Sequence, residues 1–465
     1  MTHVALGSAQ GRWVVLAATL GSAMALLDGT VVNVALRPLG LELGASLPQL
    51  QWVVNGYMLT LSGLVLVGGS LGDRLGRRRV FLVGIVWFAV ASLGCGLALT
   101  VDQLIAARVL QGVGAALLTP SALAIIQSTI AEADRPRAIG IWAAWSGISS
   151  AAGPLLGGWL IDVRSWRWVF LVNLPVAAAV VAVVIRHVPE SGGVARGERP
   201  RFDLTGAALA MLGLGALTYA LIEGAWPIVL LGVAGLAAFV VVEHRTRNPM
   251  LPLRVFTSPA FSAANAMTFV VYGALGALMF FLVLQLQVVS GYSPLQAGLA
   301  TVPFTLLMLV FSPRVGALMR RTGPRLLMTL GPALAAAGAL VLSTVGADAP
   351  YATRVLPGVV LFGAGITLMV TPLTSTVMAA VPGRQAGVAS GVNNAVARSG
   401  SLLSVAALPP MVGLTGDDYT VPAVFDAGYT TAMWWCAGWL AAGAVIAAVF
   451  IRGRVSPRSS PPEQA

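Results

Sequence analysis

The sequence has 465 residues, of which 57% are hydrophobic and only 10% charged, whereas soluble domains carry about 25% charged residues. This composition excludes an ordinary soluble fold and predicts a single all-α body embedded in a membrane. The 53 glycines fit such a body, because small residues let helices approach closely where lipid gives no hydrophobic drive for association. The net charge is +11, and all 28 basic residues are arginine.

The residue types present exclude several classes of function. Without lysine the chain has neither a Walker A phosphate loop nor Schiff-base chemistry. His3, His187 and His244 are far apart and fall outside the predicted spans, so we expect no metal site and no cofactor. Cys95 and Cys436 lie in apolar stretches near opposite ends of the chain. We interpret both as packing residues rather than a disulfide.

Apolar runs long enough to cross a hydrocarbon core of about 30 Å can be counted along the chain. We predict fourteen, at 13–36, 50–71, 80–99, 103–130, 138–162, 167–186, 204–222, 226–243, 260–289, 294–319, 325–346, 352–380, 384–412 and 429–451. The first span follows a short stretch in which Arg12 is the one arginine, and the span itself contains Asp28. It is therefore expected to be a retained helix rather than a signal peptide.

The arginines indicate the orientation of these spans. With a cytoplasmic N-terminus, 21 arginines fall in inside segments, four in outside segments and three within spans. This asymmetry satisfies the positive-inside rule with both termini in the cytoplasm. It also explains the basic charge without a nucleic-acid partner.

A polar segment rich in Gly, Pro and Arg, at 187–203, is the predicted cytoplasmic linker. The weakly similar segments 69–78 and 316–325 follow spans two and ten, which indicates a repeat of six helices with two extra spans between the copies. The predicted organisation is a six-helix bundle at 1–186, the linker at 187–203, two extra helices and a cytoplasmic loop at 204–259, a second six-helix bundle at 260–451 and a cytoplasmic tail at 452–465.

The loop GDRLGRRR at 72–79 joins spans two and three. Its arginines alone suit a positive-inside anchor, but Asp73 among guanidinium groups at a helix start also suits a latch that one conformation makes and another breaks. The loop resembles the signature loop of the major facilitator superfamily, and this resemblance implies that Asp73, Arg74 and Arg77 lock two halves together on the cytoplasmic side. The second copy has Arg320 in place of the acid, so we expect only the first to act. The predicted latch residues are Gly69, Asp73, Arg74, Gly76, Arg77 and Arg78.

Span five is rich in glycine and contains a proline, a pattern typical of a kinked packing helix. The same pattern strongly resembles the antiporter motif of drug-exporting members of that superfamily, which implies control of leakage by this helix. Ser149 stands where the fullest version of the motif has glycine. The predicted motif residues are Gly140, Ser149, Gly153, Pro154, Gly157 and Gly158.

Three further segments, 27–39, 166–175 and 285–303, resemble the first-helix motif, the start of the sixth helix and the loop between spans nine and ten of the fourteen-helix drug:proton antiporter family. Arg37 departs from this pattern, since proline is usual at that place. With 108–122, the resemblance covers most of residues 13–400. It implies two six-helix bundles plus two extra helices, and a proton-coupled exporter in the inner membrane.

Asp28 is the only acid well inside a predicted span. The helical rise places Asp28 about 12 Å and Arg108 about 7–8 Å below the same outer surface, so the two are within about 5 Å in depth. A guanidinium group favours the carboxylate and burial disfavours it, so such a pair suits proton uptake and release as helices rearrange. A static structural ion pair is the alternative. Of the other embedded arginines, Arg314 is expected to snorkel, and Arg398 either faces substrate or binds backbone carbonyls.

Polar and aromatic side chains within the spans predict an amphipathic cavity with few acids, which suits bulky hydrophobic molecules that are neutral or singly charged. The candidates are Asn33, Asn55, Tyr57, Gln111, Trp142, Trp145, Asn265, Tyr272, Gln285, Asn393, Asn394 and Arg398.

The predicted function is proton-coupled export of such compounds across the bacterial inner membrane by a monomer whose partners are substrate, protons and lipid. Uptake and lipid movement are alternatives within transport. A non-transporting receptor is the alternative of another class, although the sequence has no soluble signalling domain. An enzyme is not expected, because no nucleophile with a base, metal cluster or phosphate loop is present.

Overall fold

The computed structural model describes residues 4–190, 203–246, 249, 251–382 and 385–451. Within these ranges the regular secondary structure is helical, apart from one parallel bridge between Val4 and Ile130. Most of the predicted linker and all of the predicted tail lie outside the described residues. Their assignments therefore stay predictions.

The first half of the fold contains seven helices. They are α1 (Ala9–Leu43), α2 (Leu47–Leu75), α3 (Arg77–Leu97), α4 (Val101–Thr129), α5 (Arg135–Val163), α6 (Trp168–Leu171) and α7 (Asn173–His187). Side-chain caps explain several starts. In a capping box at the start of α2, the Ser46 backbone N–H donates to Gln49 Oε1 at 2.9 Å, and the Gln49 N–H donates to Ser46 Oγ. Gly44 ends α1 with a φ of 62°, which glycine adopts without strain.

Two helices, α8 (Leu204–Glu223) and α9 (Trp226–Arg245), form a hairpin between the halves in sequence. The second half contains α10 (Pro259–Val288), α11 (Pro294–Thr322), α12 (Pro324–Leu342), α13 (Leu356–Ala379), α14 (Ala386–Met411) and α15 (Pro422–Phe450). Short helical turns at Leu253–Thr257, Tyr351–Val355 and Asp418–Thr420 precede α10, α13 and α15. Proline occupies the first turn of α10, α11, α12 and α15, where its missing N–H costs no helical hydrogen bond.

Twelve helical segments of the described chain are long and apolar enough to cross a membrane, with α6 and α7 counting together as one. They match twelve of the fourteen predicted spans. The other two predicted spans correspond to α5, with 29 residues, and α14, with 26 residues, which are long enough but do not meet the apolar criterion. Glycine and serine are frequent in both helices, and α14 also contains two asparagines, which explains their lower apolarity.

Several helix boundaries differ from the prediction by a few residues, and two differences concern how a span is built. The predicted sixth span is divided, because α6 ends at Leu171 and α7 begins at Asn173. The last helix begins at Pro422 rather than at residue 429. Asp426 lies near the start of this helix, and its carboxylate accepts a hydrogen bond from the Gln285 side chain of α10.

The arginine-rich end of the molecule is where α2 meets α3, and contacts there connect α3 to the end of α7. At the opposite end the two halves are joined. The Leu47 N–H donates to the Gly416 carbonyl at 2.7 Å, and the Tyr419 hydroxyl donates to the Ala45 carbonyl at 2.8 Å. Burial raises the pKa of Tyr419, so its hydroxyl remains a donor at neutral pH. One hydrophobic cluster continues across this junction from α1 and α2 into α10–α15.

Candidate functional site

Asp28 of α1 and Arg108 of α4 form an ion pair in the interior of the first half. Their side chains are 0% and 1% exposed, respectively. The Arg108 guanidinium also donates through Nε to the Val53 carbonyl at 3.0 Å and lies 4.3 Å from the centre of the Tyr57 ring. A buried charge pair of this kind stays ionised only while its partners remain in place.

Amide and hydroxyl groups complete the surroundings of Asp28. Gln111 accepts from Arg108 at 2.6 Å and donates to Asp28 Oδ1 at 2.8 Å. Asn173 donates to the same carboxylate oxygen at 3.4 Å and to Ser92 Oγ at 3.0 Å. The charge cluster, which we define as Asp28, Ser92, Arg108, Gln111 and Asn173, therefore ties together α1, α3, α4 and α7. Each member is fully buried, or nearly so.

The structure brings together the two residues for which the sequence predicted matching depth. It also places Gln111, predicted to face substrate, inside this cluster. Sequence reasoning missed Ser92 and Asn173. Asn173 carried a usable signal, since it is a single amide in the apolar run 166–175. Nothing in the sequence distinguishes Ser92 from other small helical residues.

A cavity of about 280 Å³ lies between the halves. First-half helices α1, α2 and α5 form one wall, and second-half helices α10, α11 and α14 form the other. Most of its lining is apolar, and it includes no acidic residue. The polar side chains that line it are Thr30, Asn33, Ser150, Tyr272, Thr301, Thr305 and Ser401.

Of the twelve candidate substrate residues, Asn33 and Tyr272 line this cavity. Among the described residues, neither side chain has a hydrogen-bond partner. Tyr57 is buried against the charge cluster, and its hydroxyl donates to the Ala25 carbonyl at 3.1 Å. Asn55 is fully buried as well. The sequence could not separate these positions, because all four side chains lie on membrane helices of similar polarity.

Several other candidates lie away from this cavity. Gln285 donates to the Val345 carbonyl at 2.7 Å and to Asp426, because its buried amide needs hydrogen bonds within the second half. Trp142 donates to Ser22 Oγ at 2.9 Å. Three more are exposed or paired on other faces: Trp145 is exposed, Asn393 donates to Asn265 and Thr268, and Asn394 donates to a carbonyl of its own helix.

In the loop at 72–79, the described contacts of Asp73 and Arg77 lie within the first half. Asp73 and Arg77 form an ion pair at 3.0 Å, and Arg77 donates to the Ala124 carbonyl at 3.1 Å. Among the described contacts of Asp73 and Arg77, none reaches the second half. Glu190, which the sequence analysis did not select, accepts from the Arg78 backbone N–H at 3.2 Å and so supplies a carboxylate at the start of α3.

The glycines of α5 differ in what they contact. A side chain at Gly153 would meet Thr30, and one at Gly157 would meet Val31, so both glycines allow α5 to pack closely on α1. At Gly158 an added Cβ would lie 2.5 Å from the Leu295 Cα atom of α11. Pro154 packs in the same way against Gly298. In contrast, a Cβ added at Gly140 would have no described atom within 4 Å. The Ser149 hydroxyl donates to the Trp145 carbonyl of its own helix.

Gly158→Val is expected to separate α5 from α11 at the opposite end, because the valine would overlap the α11 backbone, which cannot move aside as a side chain would. Disulfide formation between cysteines placed at Asp162 and Ser293 measures this separation, since those side chains are 2.9 Å apart. We expect a lower cross-linking rate in Gly158→Val. Gly140→Val on the same helix is the control and should cross-link normally. Equal rates in both variants would contradict the packing argument.

Comparison with known proteins identifies relatives over most of the chain. Residues 18–405 match the family described as Major Facilitator Superfamily. The chain is 38% identical over 404 residues to Multidrug resistance protein Stp of Mycobacterium tuberculosis (strain CDC 1551 / Oshkosh), covering 84% of this chain and 74% of that protein. It is 39% identical over 468 residues to Puromycin resistance protein pur8 of Streptomyces alboniger, covering 95% and 92%.

The fold is similar to that of a bacterial homolog of the human lysosomal transporter Spinster, solved in an inward-facing and unoccupied conformation. The TM-score is 0.70 with 18% sequence identity, over 97% of this chain and 100% of that chain. At this identity the similarity concerns the fold alone. The predicted relation to the superfamily is confirmed by the sequence match, and the fourteen-helix subfamily stays a prediction.

Proposed function

Because this chain belongs to the Major Facilitator Superfamily and is a multi-pass inner-membrane transporter, we propose that it exports hydrophobic compounds and couples their export to inward proton flow. The names of the relatives, a multidrug resistance protein and a puromycin resistance protein, support export as the direction of transport. The observation that supports proton coupling is the fully buried ion pair of Asp28 and Arg108 next to the cavity between the halves.

The coupling argument depends on α1. Asp28 belongs to the charge cluster, whereas the next two residues, Gly29 and Thr30, line the cavity. A compound bound in the cavity therefore touches the helix that carries the carboxylate. A shift of α1 that separates Asp28 from Arg108 would favour protonation, because a carboxylate without a cation is costly away from water. A static pair would not respond to the cavity in this way, and it is the alternative that the experiments below test.

We further propose that α5 and α14 also cross the membrane, which gives fourteen spans and places the chain in the fourteen-helix drug:proton antiporter family. Both helices are long, and both contribute to the cavity wall between membrane helices. The arginine-rich end would then face the cytoplasm together with both termini. In this arrangement α1–α7 and α10–α15 are the two six-span bundles, and α8–α9 are the extra pair.

Neutral or singly charged substrates suit the cavity. Its lining offers hydroxyl and amide groups on a mostly apolar surface without any carboxylate. A multivalent cation would lack counter-charges there.

A susceptibility panel in a pump-deficient bacterial host, followed by uptake into everted vesicles, tests this function. Expression should raise resistance to hydrophobic compounds, and those compounds should accumulate in everted vesicles only when the vesicle interior is acidic. The charge-neutral variant Asp28→Asn is the matched negative control. Accumulation that persists after the pH gradient is collapsed would contradict proton coupling, and unchanged susceptibility across the panel would contradict export.

Asp73→Asn is expected to slow turnover with little change in substrate affinity, because Asp73 contacts Arg77 at the arginine-rich end and lies away from the cavity. Initial rates in vesicles and equilibrium binding in detergent measure the two quantities separately. Asp348→Asn, in an exposed loop, is the control. An affinity loss of about tenfold, or about 1.4 kcal/mol, would assign Asp73 to substrate binding instead of a latch.

A further inference from the structure

Arg398 lies near the middle of α14, twelve residues after Ala386 and thirteen before Met411. Among the residues that the structure describes, its guanidinium group has no ion-pair or hydrogen-bond partner. An ionised group at this depth is costly unless another group compensates its charge. The role of Arg398 therefore depends on what reaches it.

The helical period places Arg398 on the face of α14 that forms the cavity wall. Ser401 and Val405 line the cavity, and they follow Arg398 by three and seven positions, which is the spacing of one helix face. Gly400 lies on the other side of α14, where it packs tightly against the Phe269 backbone of α10. By this spacing Arg398 is on the same side of α14 as the two cavity-lining residues Ser401 and Val405.

Asp28, the buried acid of the charge cluster, is already engaged. Asp28 is bound by Arg108, Gln111 and Asn173. The cavity lining contains no aspartate or glutamate. Tyr57 supplies no counter-charge, because its hydroxyl is neutral and already donates to the Ala25 carbonyl. One positive charge is therefore left uncompensated beside the cavity.

We propose that Arg398 supplies the counter-charge for an anionic substrate group, so that the cavity prefers hydrophobic compounds with one carboxylate or sulfonate. This inference rests on the proposed export function and narrows its substrate class. The planar guanidinium fork matches two oxygens of such a group, which an ammonium does not. The unpartnered Asn33 and Tyr272 side chains, which face the same cavity, provide neutral hydrogen bonds to the remainder of the molecule.

Two fluorescent probes with the same ring system test the charge preference. Anilinonaphthalene sulfonate carries the anion, and phenylnaphthylamine lacks it. Equilibrium binding to purified protein in detergent should show that Arg398→Gln weakens sulfonate binding by about tenfold or more, while phenylnaphthylamine binding changes by less than about twofold. Arg398→Lys should restore part of the sulfonate affinity. Arg314→Gln is the control, because Arg314 donates to the Val310 carbonyl of its own helix, away from the cavity, and should leave both affinities unchanged.

Equal losses of both probes in Arg398→Gln would overturn the proposal and make Arg398 a structural residue. A wild-type protein that binds the neutral probe at least as tightly as the sulfonate would overturn it too. The binding assay needs no gradient, so it is independent of export. If the sulfonate preference is present but neither probe accumulates in everted vesicles with an acidic interior, the export proposal fails and the anion preference remains.

Discussion

Replacing Asp28 with asparagine is expected to abolish proton-coupled transport while leaving the cavity able to bind compounds. Asparagine keeps the size of the side chain and can still accept from Gln111, but it cannot exchange a proton in the physiological range. Substrate-induced proton release from purified protein in weak buffer, and gradient-driven uptake into everted vesicles, measure the two consequences. Full gradient-driven transport by Asp28→Asn would exclude Asp28 as the proton carrier.

The variant also leaves Arg108 without its counter-charge, so its stability needs a control. The double variant Asp28→Asn with Arg108→Gln removes both charges and keeps hydrogen-bonding side chains at both positions. Removing one partner of a buried pair costs about 3–5 kcal/mol, because it leaves an uncompensated buried charge. The double variant leaves no such charge, so we expect it to be more stable than Asp28→Asn in thermal unfolding and equally unable to release protons. Recovered proton release in the double variant would contradict the assignment.

Arg108→Ala is expected to weaken proton release before it weakens substrate binding. The variant removes the cation of Asp28, the donor to the Val53 carbonyl and the group stacked on Tyr57. A buried carboxylate without a cation favours its protonated form, so protons should remain bound where release is required, and the optimum for transport should move to higher pH. Proton release measured against pH, with substrate binding on the same preparation, checks both expectations.

Arg108→Lys is the matched variant. It retains the charge but loses the fork that bonds Asp28, Gln111 and the Val53 carbonyl together, so only part of the proton release should return. If Arg108→Ala has the wild-type titration, Asp28 and Arg108 do not communicate. The pair would then be the static structural element that the sequence analysis kept as the alternative.

The sequence predicted the matching depth of Asp28 and Arg108 because depth in a membrane depends on one coordinate only, the distance along the membrane normal. Counting helical rise from the span ends was sufficient for these two residues. The lateral arrangement of helices is a different quantity, and counting residues does not provide it. Asn173 reaches Asp28 because α7 packs beside α1, and Ser92 joins the cluster through Asn173 because α3 packs beside α7. No pattern in their own segments encodes that packing.

The same limitation explains why several candidate substrate residues lie away from the cavity. Gln285, Trp142 and Asn33 are all polar or aromatic positions on membrane helices, yet only Asn33 faces the gap between the halves. Gln285 and Trp142 instead satisfy local partners, Asp426 and Ser22. Among the long helices of the second half, α14 does not meet the apolar criterion, because it contains asparagine, serine and arginine.

The α8–α9 hairpin makes the two flanks of the transporter unequal. Helix α8 packs against α2 of the first half and α14 of the second, and therefore covers the seam between them. On the other flank α5 meets α11 directly, and among the described helices none lies over that seam. The contact of Gly158 with Leu295 closes it at the end opposite the arginines. A compound dissolved in the bilayer would therefore meet a boundary between the halves that no third described helix covers on the α5–α11 flank alone.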